Sequence, residues 1–113
     1  MSAPWQERLG GLATEPVDSG LVIHVARAYS ERRRGLARME PMPADHGLRI
    51  PRTNSVHTFG MRFALDLVWL GRRGNVVRID HGVPPRRVKL CLRARSVVET
   101  CAGHGDRFAH VLD

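Results

Sequence analysis

The longest stretch of the chain with one readable period is residues 56–75, VHTFGMRFALDLVWLGRRGN. Odd positions His57, Phe59, Met61, Phe63, Leu65, Leu67 and Trp69 are almost all apolar, whereas Thr58, Gly60, Arg62 and Asp66 are polar or small. A side-chain period of two belongs to a strand with one buried face. The alternation breaks at Ala64, after which Val68 and Leu70 make both faces apolar. The pattern predicts two strands, about 56–62 and 65–71, joined by a bend. GRRGN then supplies the Gly and Asn of a turn, and Val76–Ile79 returns as the second arm of a hairpin.

The same reading extends along the chain. Residues 1–18 mix Pro, Gly, Ser, Thr and charge without period and predict a mobile or extended N-terminal arm. Residues 19–113 read as a single β-rich domain, which the length also favours. From Leu21 to Ala26 both faces are mostly apolar, as in a strand covered on both sides. Ser30 suits an N-cap and Glu31 a first helical turn, so one short helix is expected near residues 31–38. Leu36 and Met39 would face the core. Gly35 within that helix costs about 1 kcal/mol relative to Ala, which points to close packing or an early end. His46 falls in a loop with Pro41, Pro43 and Asp45–Gly47, and Leu48–Ile50 before Pro51 reads as an edge strand or a strand end. Val88, Leu90 and Leu92 alternate with Lys89, Cys91 and Arg93 in a half-buried strand pattern. Val97–Thr100 is a further strand, CAGHGD a Gly-rich turn and Arg107–Val111 a last short strand. Short strands at roughly ten-residue intervals predict a mainly β fold, closed as a small barrel or sandwiched.

Composition changes this picture in few places. Aromatic residues are 5% of the chain, so the core must rest on Val, Leu, Ile and Met. Cys91 and Cys101 match no zinc spacing; one disulfide between them is geometrically possible if they lie on adjacent strands, and two reduced, half-buried thiols are the expectation. Met1–Gly20 lacks the apolar centre of a secretory leader, and no run is long enough to span a bilayer, so a cytoplasmic protein is the expectation. The net charge is +7, and all eighteen basic residues but Lys89 are Arg. Arginine forks match phosphate and carboxylate geometry. The Arg clusters are spread along the sequence without a stacking aromatic beside them and read first as solvated surface.

The motifs themselves add a resemblance. LVIHVARAYSERRRGLARM, HTFGMRFALDLVWL, RRGNVVRI, VVET followed by Ala102-Gly103, and GDRF occur in that order. This resembles the domain-of-unknown-function 192 family, DUF192, also called uncharacterised protein family 0127. Arg32–Leu36 fits its Arg-x-x-Gly-Leu helix element, and His57 through Asp66 fits its central element. Glu99, Ala102-Gly103 and Gly105-Asp106 fit its closing elements. Two departures stand out. Gly103-His104-Gly105 joins directly where relatives carry several helical residues, and Ala64 and Cys101 stand where relatives tend to have Pro. The resemblance implies a small β-barrel or jelly-roll-like domain with a short helix, and no established activity.

Five residues are candidates for a polar binding site near the central strands: His57, Thr58, Arg62, Asp66 and Glu99. Arg62 would bind an anion and Asp66 would orient it or take a proton. The plainer alternative is an Arg62–Asp66 ion pair, with Asp66 tying down the bend. Cys101 beside His104 could form an activated thiol, against the plainer buried cysteine at a strand end. His57, His81 and His104 would need to converge in space to hold a metal, since no metal-binding spacing is present. No catalytic residue, metal or cofactor is assigned. The favoured reading is a non-enzymatic binding or accessory module for a small anion, a peptide or a protein. The alternative is a hydrolase-like or metal-dependent enzyme using His57, Asp66 and Glu99. Nucleic-acid binding through the Arg clusters is the third.

Overall fold

In the computed structural model, which describes residues 2–113, the chain folds into eight strands and three short helices. In chain order these are α1 (Trp5–Leu9), β1 (Ala13–Pro16), β2 (Val22–Val25), α2 (Tyr29–Arg34), β3 (His46–Pro51) and β4 (Ser55–His57). There follow β5 (Leu65–Leu70), β6 (Val76–Val83), β7 (Val88–Leu90), β8 (Ser96–Cys101) and α3 (Gly105–Leu112). Six strands form one mixed sheet in the order β1-β2-β3-β8-β5-β6, and β4 and β7 pair separately. The fold is mainly β, as the pattern predicts. Strands β1 and β6 stand at the two edges of the large sheet instead of pairing to close a barrel.

The switch at Ala64 separates two sheets. Strand β4 ends at His57 and pairs with β7, whereas β5 lies inside the large sheet between β8 and β6. LDLVWL is buried at every position because both faces of β5 are covered. Leu65, Leu67 and Trp69 join Leu48, Ile50 and Val97 in one core, under α1, the α2 segment and β4. Val68 and Leu70 join Ile23, Val98 and Phe108 in a second core, under α3. The hairpin expected across GRRGN is present as β5–β6.

Strands β2 and β3 are parallel, and parallel neighbours need a crossover connection. Residues 26–45, with α2, provide it. That crossover positions the site described below.

Several local expectations change. The mobile or extended arm was expected over residues 1–18. Of the described part of it, Trp5–Leu9 is helical and Ala13–Pro16 pairs with β2, register Ala13 to Val25. Leu9 is buried, and Ala3 bridges Met39. Arg107–Val111 lies in helix α3, because Phe108, Val111 and Leu112 fall at helical spacing and pack on the sheet. His46 is not a loop residue. It is half-buried in β3, tilted against Trp5 and within 2.9 Å of His24 Nε2. In β7 the expected phase is reversed. Lys89 lies opposite Val56 and shares its inward face, so Val88 and Leu90 point outward.

Candidate functional site

Helix α2 is six residues long and is capped by Glu31, whose Oε1 accepts the Ala28 N–H at 2.9 Å. It ends at Gly35, where φ is +52°, a conformation that strains any residue with a side chain. A Cβ on Gly35 would lie 3.2 Å from Glu99 Oε1. The backbone of the turn therefore closes directly over that carboxyl. Arg8 of α1 braces the turn from behind by donating to Gly35 O at 2.9 Å and to Ala37 O. Burial, and then the charge of Arg34, hold the Arg8 pKa below its ordinary value.

Glu99 sits in β8 opposite Leu48 of β3 and Leu67 of β5, on the face of the first core. It is 1% exposed, and its Oε1 has no hydrogen-bond partner. Burial alone pushes its carboxyl up to about 8, so the side chain is neutral at pH 7. Arg32 Nε is also buried without a partner. Both side chains line one cleft of about 440 Å³, whose rim carries Arg33, Arg34, Arg52 and His57. An unpartnered buried polar atom costs about 1–3 kcal/mol. Two of them on one cleft mark a place where a ligand can supply what the protein does not.

The five sequence candidates separate. His57 and Glu99 meet at this cleft. Asp66 does not. It lies opposite Thr100 and faces the α3 side of the sheet, while Glu99 faces the other side. Its Oδ1 accepts from Gly82 N at 2.9 Å, and its Oδ2 accepts from Gly103 N at 3.0 Å and Gly105 N at 2.8 Å. Asp66 thus fixes the start of α3 and the end of β6. The Gly103-Gly105 junction fits this role, because a Cβ on Gly105 would fall 2.7 Å from Asp66 Cβ. Thr58 is fully buried. Its hydroxyl donates to Pro84 O at 2.7 Å and accepts from Arg87 N at 2.8 Å, which pins two loops together. Arg62 is exposed in the segment between β4 and β5.

The remaining candidates also have definite places. Cys91 and Cys101 are both free thiols. Cys101 Sγ donates to Met42 O at 3.2 Å, and burial pushes its thiol above the ordinary range, opposite to what an activated nucleophile needs. His81 hydrogen-bonds Asp106 at 2.8 Å, beside α3, while His57 is on the cleft. Among the described residues no three His, Cys, Asp or Glu side chains gather as a metal site. No helix among the described residues is long and apolar enough to cross a membrane.

Sequence reasoning did not select Arg32, Arg33, Arg34 or Arg52 as site residues. The available signal was the Arg run ending in Gly35, the glycine that ends the helix. The charge-rich run on its own resembled any solvated helix face.

Fold and site together define a small mainly β domain with a basic cleft over a buried neutral carboxyl. The chain belongs to the DUF192 family, described as an uncharacterized ACR, which matches residues 13–109. The match includes Arg32–Gly35, His57 and Glu99. A transcription-regulator candidate from Sinorhizobium meliloti 1021 has a similar structure, with TM-score 0.70 and 21% identity over 78% of this chain and 74% of that one. A protein of unknown function from Novosphingobium aromaticivorans DSM 12444 aligns over 90% of this chain and 89% of its own, with TM-score 0.68 and 18% identity. At these identities the likeness is one of fold. No curated protein matches the sequence.

Proposed function

We infer that this protein is a binding module whose cleft takes an anionic group. One observation carries the reading: Arg32 Nε and Glu99 Oε1 are both buried, both unpartnered and both on the same cleft. An anionic oxygen that enters the cleft finds the Arg32 guanidinium and the protonated Glu99 carboxyl among its lining donors. Arg33, Arg34 and Arg52 at the rim add charge attraction, and His57 and Tyr29 also face the cleft. A deprotonated Glu99 would repel the same ligand, so the raised carboxyl pKa serves this chemistry.

Citrate is a suitable probe, because its charge is constant above neutral pH. Titration calorimetry is expected to show citrate binding, and Arg32→Ala is expected to weaken it about tenfold, from the loss of one charge-assisted hydrogen bond. Equal affinity in the two proteins would remove the reading's support.

A second reading is favoured by the same carboxyl. A group holding its proton to about pH 8 can act as a general acid, and His57 on the cleft could act as its partner. Asp66, the third residue of the enzyme alternative, lies across the sheet and contributes nothing to such a pair. Turnover of a chromogenic phosphate or carboxylate ester that is abolished by Glu99→Gln would favour this reading over simple binding.

A further inference from the structure

A second cavity, lined by Arg8, Arg38, Phe59 and Gly60, adjoins the Glu99 cleft. The two share Tyr29, Arg33, Arg34 and His57 as a common wall. Six arginines therefore border one two-lobed groove: Arg8, Arg32, Arg33, Arg34, Arg38 and Arg52. Among the described residues the only carboxyl lining either lobe is Glu99, which is neutral at pH 7.

The aromatic side chains are distributed just as unevenly. Trp69 and Phe108 are fully buried, whereas Tyr29 is 67% and Phe59 52% exposed. Those two are the only large aromatics that the described surface leaves open, and both line this groove. The His57 ring lies 6.1 Å from that of Phe59. Sequence order hides this grouping. Phe59 is far along the chain from the Arg32–Arg34 run, and the β4 end brings it alongside α2.

Cations interleaved with exposed flat rings match a chain that alternates phosphates with planar bases. Such a chain must be single-stranded, because a duplex hides the faces of its bases by stacking them. The concave groove and a helix α2 of only six residues are also poorly shaped to enter a duplex groove. We propose that the two lobes form one groove for single-stranded nucleic acid, with phosphates on Arg33, Arg34, Arg38 and Arg52 and bases stacked on Tyr29 and Phe59. This rests on the anion-binding reading and names the ligand class of that site.

Fluorescence anisotropy of labelled short oligouridylate and oligothymidylate tests it, with a duplex of equal length and inorganic polyphosphate as competitors. The single strands are expected to bind more tightly than either competitor. Tyr29→Ala and Phe59→Ala are each expected to weaken binding about tenfold, the size of one lost stacking contact. Their thermal midpoints should match the parent protein, since both side chains are exposed. Arg33→Ala should reduce the dependence of log affinity on log salt by about 0.7. Oligodeoxyuridylate differs from oligouridylate only in lacking the 2′-OH, so a preference between those two assigns the sugar, and either preference supports the proposal. If polyphosphate binds as well as the oligomers and the aromatic variants change nothing, the nucleic-acid proposal is overturned while the anion site stands. Tighter duplex binding overturns it as well. If neither citrate nor any polyanion binds, both readings are overturned.

Discussion

Glu99→Gln makes the protein more stable, and the gain grows with pH. In the folded state the Glu99 carboxyl is pushed up to about 8 by burial, against an ordinary value of 4.5. A group whose folded pKa is raised stabilises the fold fully below its unfolded pKa and loses that contribution as pH rises toward the folded one. Between pH 4.5 and about 8 the unfolded chain sheds a proton that the folded chain keeps, so the parent protein weakens steadily across this window. Gln cannot ionise in either state and has no such slope. The two proteins should be nearly equal near pH 4.5 and differ by roughly 3 kcal/mol at pH 7, an order-of-magnitude figure from the size of the shift. That corresponds to about 10 °C in thermal midpoint for a domain of this size. Urea or thermal unfolding at several pH values reads it. A variant that is less stable than the parent at pH 7 would mean that Glu99 is ionised and paired in the folded protein. A residue that lowers stability for the sake of a buried acid is what a binding site leaves behind.

Asp66→Ala has the opposite effect and is expected to remove on the order of 4 kcal/mol, much of the stability of an ordinary domain. The carboxylate is the acceptor for three backbone N–H groups, from Gly82, Gly103 and Gly105. Without it the buried Gly105 N–H has no partner, the exposed Gly82 and Gly103 lose the acceptor that ties them together, and α3 loses its anchor at the positive end of its dipole. Phe108 and Ala109 then hold the second core less firmly. Asp66→Asn keeps one acceptor oxygen and should lose less. Urea denaturation measures both, and amide exchange in Gly105–Leu112 reports the helix directly. Asp66 lies on the far side of the sheet from the cleft, so Asp66→Asn should retain citrate affinity. A large loss of affinity in a folded Asp66→Asn protein would show that the two faces of the sheet are coupled.

These two carboxylates show how far the sequence could be read. Parity along Val56–Leu70 located β5 and the break at Ala64, because a period of two is a local property of the chain, but the strand expected over 56–62 ends at His57, with Val56 and Thr58 buried and His57 and Phe59 exposed. It could not show that β8 inserts beside β5, with Glu99 opposite Leu67 and Asp66 opposite Thr100. That register decides which face each carboxylate occupies, and it comes from pairing between distant segments. Helix α3 was lost for a local reason. Eight residues hold only two turns, and FAHVL alternates well enough to pass as a strand. The reversed phase of β7 follows from its pairing with β4, which no pattern within VKL can reveal. A short helix was legible from Glu31, but it spans Tyr29–Arg34 and not 31–38: Ala28 is the N-cap, Ser30 lies inside the first turn, and Gly35 ends the helix early. The closeness of Gly35 to Glu99 was not legible, because it depends on the parallel crossover from β2 to β3.

A neutral Glu99 that shares an anion with Arg32 is tested most directly by citrate calorimetry across pH. In the parent protein affinity should be constant from pH 7 to about 8 and then fall about tenfold per pH unit, as Glu99 ionises against the bound anion. In Glu99→Gln it should stay level over the same range. Citrate binding that is flat above pH 8 in the parent protein, or that falls equally in both proteins, would contradict the account.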